Sequence, residues 1–148
     1  VARLAETGER LADGFAWKEN PDLIPEWARP WTPRGNYNVG VAHGAPGVDA
    51  GLCHGAVGLG LLFHRIHHAT GEQRLSDAAL GWYRRALGMR ETGRWTGGYG
   101  AWDPRAQGKM SEEAGFLAGA CGVALGLLAA ATPIEPTWDR VLALSSAV

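Results

Sequence analysis

Apolar residues recur at helical spacing in several stretches of the chain. From Gly55 to Ala69, the positions Leu59, Leu62, Phe63 and Ile66 predict a helix, and Gly71 stops it. Over 72–90, Leu75, Ala79, Trp82, Ala86 and Met89 repeat at i, i+4, i+7, i+11 and i+14. Arg74, Asp77, Arg84 and Arg85 lie off that stripe, so this is the clearest amphipathic helix. A helix rich in Ala and Gly is predicted over 116–131, and 137–146 begins a last amphipathic helix with Trp138, Val141 and Leu142. At the other end, Val1, Leu4 and Leu11 predict a short helix over 1–13 with Gly14 as its stop.

The connections read as irregular. Residues 15–38 carry Pro21, Pro25, Pro30 and Pro33 with Trp17, Trp27 and Trp31, an aromatic-anchored segment without helical periodicity. Residues 91–113 read as a polar, glycine-rich loop. Nowhere is there a convincing period-2 run, so the predicted class is all-α, with glycine-rich apolar helices alternating with amphipathic ones.

The stretch Ala114–Ile134 has no charge over 21 residues and contains Gly115-x-x-x-Gly119 and Gly122-x-x-x-Gly126. It consists mostly of Ala and Gly, Pro133 breaks its end, and no Lys/Arg cluster follows. A helix buried on all sides by other helices fits better than a membrane span.

Composition adds one oddity. Glycine accounts for 22 of 148 residues, about twice the usual share of roughly 7%. There is no G-X-Y period, and 46% of the chain is hydrophobic, so neither collagen nor a low-complexity linker accounts for the excess. Fourteen Lys+Arg against 15 Asp+Glu gives net −1 with interspersed signs, which argues against a nucleic-acid partner. Two cysteines, Cys53 and Cys121, are too few for a disulfide scaffold and predict a reduced, cytoplasmic setting. The first residues, Val-Ala-Arg-Leu-Ala-Glu, carry an early Glu and no apolar run, which predicts no secretory leader. The absence of an initiator Met suggests a fragment or a processed start.

The glycines cluster in an internal repeat. Gly40-Val-Ala-His-Gly-Ala-Pro-Gly-Val48, Gly51-Leu-Cys-His-Gly-Ala-Val-Gly-Leu59 and Gly115-Phe-Leu-Ala-Gly-Ala-Cys-Gly-Val123 align without gaps. The shared form, G-x-x-[HA]-G-A-x-G-apolar, holds nine of the 22 glycines and reads as a helix start with close backbone approach. From Gly55 to Gly119 is 64 residues, enough for an inner helix, a turn and an outer helix. From Gly44 to Gly55 is only 11, whereas a hairpin needs two helices of about 10–14 residues each. Either the first two copies share one compact element, or a hairpin is missing between Gly47 and Val48; we favour the second.

These residues resemble the lanthionine synthetase C-like family. The likeness begins at Trp31-Thr-Pro-Arg-Gly-Asn-Tyr-Asn-Val-Gly-Val-Ala-His-Gly-Ala-Pro-Gly47. It continues through Val48-Asp-Ala-Gly-Leu-Cys-His-Gly55 and the Ala69–Glu72 turn, and it ends with Gly115-Phe-Leu-Ala-Gly-Ala and Glu135-Pro-Thr-Trp-Asp-Arg140. The resemblance implies a toroid of inner and outer helices, of which 148 residues make one incomplete domain with a segment lost between 47 and 48. It also implies a zinc ion held by the Cys and His of the Cys-His-Gly motif, matched by Cys53 and His54, and by a Cys from a Trp-Cys-x-Gly motif. No Trp-Cys occurs in this chain. The family's catalytic His lies in the Ala-His-Gly motif, matched by His43.

The implied chemistry is zinc-dependent thioether formation on a dehydrated precursor peptide, or action on another thiol-containing peptide. A thiolate and an imidazole suit zinc, and a catalytic ion takes three protein ligands plus an open position. Zinc-bound sulfur is a thiolate near neutral pH and adds to a dehydrated Ser or Thr, and a nearby His can protonate the resulting enolate. The simpler alternatives are a buried thiol for Cys53, a helix-capping imidazole for His54 and an inert cap for His43. A non-catalytic helical scaffold or peptide-binding module that has lost zinc is the alternative for the whole chain.

Other residues read more plainly. Cys121 aligns with Val57 in the repeat and reads as a small core residue. His64, His67 and His68 have metal-compatible i, i+3 and i+4 spacing but read as a solvated polar face opposite the apolar stripe. Tyr99 and Trp102 read as anchors of their loop, with a peptide groove as the alternative. Trp138 reads as a core anchor and Asp139 as a first-turn carboxylate of the last helix. An open ring would leave helix faces uncovered, which predicts poor solubility or oligomerisation.

Overall fold

The structure is a computed structural model; it describes residues 9–11, 14–18, 26, 37–38, 49–103, 106 and 108–142. Helices α1 (Ala56–Thr70), α2 (Gln73–Gly88) and α3 (Ala120–Ala131) dominate it. Two short 3-10 turns, Thr96–Gly98 and Thr137–Leu142, add to the helical content. The described residues are therefore mostly helical, as expected.

α1 and α2 form an antiparallel hairpin closed at Gly71, whose φ of 72° is the left-handed conformation that glycine adopts without strain. The stripe expected on α2 faces inward, with Ala79 and Ala86 buried and Leu75, Trp82 and Met89 half-buried. Tyr83 is buried as well, its ring lying where a side chain on Gly60 of α1 would be. On α1, burial differs from the simple stripe. Residues Ala56–Leu61 are buried in succession, and Ile66 is exposed.

α3 packs across α1, and a Cβ on Gly126 would collide with Val57 Cγ1. Val57, Leu61, Leu52 and Val123 form the centre of the core, with Ala50, Tyr83, Tyr99 and Ala129 around them. α3 is not buried on all sides, contrary to expectation. Cys121, Ala124, Leu128 and Ala131 are exposed at i, i+3, i+7 and i+10, so one apolar face of the helix is open.

Strands correct the sequence reading in three places. The helix expected over 1–13 is not present at its described end. There, β1 (Glu9–Leu11) pairs antiparallel with β2 (Gly14–Lys18), Leu11 opposite Gly14. β3 (Tyr37–Asn38) adds to β2 with Trp17 opposite Asn38, so the segment 15–38 is not irregular throughout. Aromatic residues favour strands, and Gly8 and Gly14 leave too few residues between them for a stable helix.

The expected loop 91–113 contains a second hairpin. β4 (Gly100–Asp103) pairs with β5 (Lys109–Glu112), with Trp102 opposite Met110. Gly108, at φ 74°, leads into β5. The predicted last helix is a 3-10 turn over its described part, Thr137–Leu142. Its Trp138 meets Phe116 edge to face at 5.9 Å, as a core anchor should. Asp139 is the first-turn carboxylate expected there, and it is fully buried, with its Oδ2 3.0 Å from Arg65 Nε. That ion pair ties the C-terminal turn to α1.

Candidate functional site

Two copies of the repeat can be compared directly, since the first copy, 40–48, lies outside the described residues. They are the same structure, shifted by 64 positions. Each runs through a turn into a helix whose N-cap is an extended glycine, Gly55 (φ −106°, ψ −176°) or Gly119 (φ −103°, ψ −174°). The backbone bonds match one for one. Ala56 N–H donates to Asp49 O at 2.9 Å, and Ala120 N–H to Glu113 O at 3.0 Å. Val57 donates to Ala50 at 3.3 Å, and Cys121 to Ala114 at 3.2 Å. Three of the first-turn N–H groups that a helix start leaves open are thus satisfied from the preceding turn, the third being Gly58 to Gly51 and Gly122 to Gly115.

The two turns also touch. Leu52 and Cys53 N–H both donate to Leu117 O at 2.9 Å, and Gly51 lies against the Ala118 backbone. The chemistry-bearing positions of the first turn, Cys53 and His54, correspond to Leu117 and Ala118 in the second. One turn carries donors and the other only packs against it.

Cys53 and His54 are half-buried neighbours at the entrance of α1. Burial and, after it, the Asp49 carboxylate push the Cys53 thiol above its ordinary pKa. His54 has Asp49 behind it, with Nε2 3.3 Å from Oδ2, and Trp102 beside it, ring centroids 6.1 Å apart. Asp49 is 1% exposed. Its Oδ1 accepts Gly51 N–H at 2.8 Å and its Oδ2 accepts Trp102 N–H at 2.9 Å. The carboxylate therefore joins the Cys-His turn to strand β4. Gly55 is required next to it, because any Cβ there would strike Asp49 Oδ1 and the Ala50–Gly51 backbone.

Asp49 is the site residue that sequence reading missed. A signal was available: the repeat extends two residues further back, Asp49-Ala50-Gly51 against Glu113-Ala114-Gly115. Trp102 belongs to the site through both its N–H and its ring, whereas Tyr99 is buried in the core. His43 lies outside the described residues.

Residues 47–143 match the family model for the Lanthionine synthetase C-like protein. The chain belongs to the lanthionine synthetase C-like family. No curated protein and no solved structure matches it.

A thiol and an imidazole with a carboxylate on its far side are donors of the kind that zinc takes. In number they fall short. Among the described residues no group of three His, Cys, Asp or Glu is arranged to hold a metal, and both Asp49 oxygens are occupied by backbone N–H. Cys121 does not supply the third donor. It is exposed on α3, contrary to the core position expected for it.

The three histidines of α1 divide. His68 is exposed, as expected, and its Nε2 lies 2.8 Å from His64 Nε2. His67 Nδ1 contacts Glu72 O at 3.0 Å. His64 departs from the expected solvated face, being half-buried with its ring edge-on to Tyr83 at 6.2 Å. Burial foremost, then the neighbouring His68, Arg65 and His67, hold its pKa below the ordinary value. The shallow depression on α2 lined by Ala78, Gly81, Trp82 and Arg85 includes none of these residues. No described helix is long and apolar enough to cross a membrane.

Proposed function

We propose that the chain is an incomplete toroidal domain for thioether formation on peptides, with Cys53 and His54 as two zinc ligands and His43 as the proton donor. The observation that carries this reading is the Cys53–His54 pair at an inner-helix start inside the family-matched segment, with His54 backed by a buried carboxylate. A third ligand would come from outside the described residues, which suits a segment missing between 47 and 48.

Bound zinc would supply the low-pKa thiolate, by coordinating the cysteine sulfur of a substrate peptide. Such a thiolate would add to the β-carbon of a dehydrated Ser or Thr, and His43 would supply the proton that the α-carbon takes up to give the thioether. Asp49 and Trp102 hold the Cys-His turn against the β4–β5 hairpin. A reducing cytoplasm would keep both thiols of the chain free.

The donor count favours one other reading, a helical scaffold or peptide-binding module that has lost zinc. Zinc titration against a chromophoric chelator separates the two. One equivalent of zinc, lost in Cys53→Ala, is the expected result. No uptake, or uptake unchanged in Cys53→Ala, would overturn the assignment of Cys53.

We also infer that the open face of α3 is covered in the working molecule by a further helix. The 64-residue shift that superposes the repeat carries Val57, which seats α1 on α3, onto Cys121 of that open face.

A further inference from the structure

The acidic residue two positions before the first glycine has the same local task in both turns. Gly51 N–H donates to Asp49 Oδ1 at 2.8 Å, and Gly115 N–H to Glu113 Oε1 at 2.7 Å. Thereafter the copies diverge. Glu113 is exposed, and the residue five positions on is Ala118. Asp49 is buried, and the residue five positions on is His54, whose Nε2 lies 3.3 Å from its second oxygen.

We propose that Asp49 is a positioning residue for His54, fixing the ring proton on Nε2 and leaving Nδ1 as the bare nitrogen; as a statement about ligand geometry this rests on the zinc reading above. The argument is electrostatic. An unprotonated Nε2 would leave two electron-rich atoms 3.3 Å apart beside a carboxylate that is 1% exposed, where such repulsion is poorly screened. A proton there turns the contact attractive and helps offset the cost of burying the carboxylate. Asp49 cannot rotate away, since each oxygen also holds a backbone N–H, one from its own turn and one from Trp102 on β4. The ring is confined on another side by Trp102. Tautomer and orientation are thus set from behind the ring, the way ligating histidines are commonly held.

The two turns provide a matched control. Asp49→Asn keeps the shape but brings an NH2 group toward either a backbone N–H or the ring N–H. Glu113→Gln makes the equivalent change in the turn that has no histidine. The measurement is a 1H–15N spectrum of the metal-free chain, with histidine 15N-labelled and His54→Gln assigning the signal. The wild-type chain should show a ring N–H proton on His54 Nε2 that exchanges slowly with water, and Glu113→Gln should keep it. Asp49→Asn, with its backbone amide spectrum still dispersed, should lose it. Absence of the protected Nε2 proton from the wild type, or its persistence in Asp49→Asn, overturns the proposal. If Asp49→Asn fails to fold, the wild-type spectrum still decides. A chain with the protected proton that takes up no zinc overturns the metal reading alone.

Discussion

The two thiols of this chain are chemically distinct because of where the repeat puts them. Cys121 occupies the second helix position of α3 on its open face, while Cys53 is half-buried in the turn before α1, with the Asp49 carboxylate nearby. Burial and that negative charge both disfavour the thiolate, so Cys53 stays protonated beyond the pH at which a free cysteine ionises. Alkylation by iodoacetamide should therefore mark Cys121 well before Cys53 at pH 8. The Cys53 rate should keep rising past pH 9.0, the ordinary value from which its pKa is raised. Peptide mapping by mass spectrometry reads both rates, and equal labelling at pH 8 would refute the ordering. At this scale the sequence was informative about residue type and blind to direction. Adjacent Cys and His are legible as donors, but Asp49 is one acidic residue among 15 until the turn folds and its two oxygens find partners 2 and 53 residues away.

At the scale of elements, periodicity located α1 and α2 to within two residues and missed every strand. The reason is length. A strand of two to five residues offers too few alternations to stand out, and β4 and β5 are held by pairing with each other more than by any pattern of their own. The repeat was the stronger signal, because matching glycines report matching backbone approaches. A Cβ on Gly58 would strike Leu52 O, and one on Gly122 would strike Phe116 O, which are equivalent atoms in the two copies. Neither oxygen can move without opening the turn that satisfies the helix start. Gly58→Ala and Gly122→Ala should each destabilise the fold by about 1–3 kcal/mol, the usual cost of overpacking a close contact. Urea unfolding followed by circular dichroism measures this. The contrast is Gly81→Ala on α2, where nothing lies within 4 Å of the new Cβ and the helix should gain about 0.5–1 kcal/mol. Equal effects at Gly58 and Gly81 would show that the turn is softer than its hydrogen bonds indicate.

For the whole molecule, the repeat supplies a rule for how one unit meets the next. The first turn donates two N–H groups to Leu117 O of the second, and Val57 of α1 fits where Gly126 of α3 has no side chain. Applying the same step to α3 points outward from Cys121, onto the face where Leu128 is 53% exposed and Leu117, in the turn before the helix, 49% exposed. An apolar helix face of this kind is expected to be covered, and the described residues leave it open. The purified chain should therefore self-associate, with apparent mass rising with concentration in sedimentation velocity. Leu128→Glu places a charge on that face without entering the core around Val57 and Val123, so it should shift the chain toward monomer while leaving its helical signal unchanged. A wild-type chain that is monomeric across the concentration range would mean that the open face tolerates water, and the step from one repeat to the next would then stop at α3.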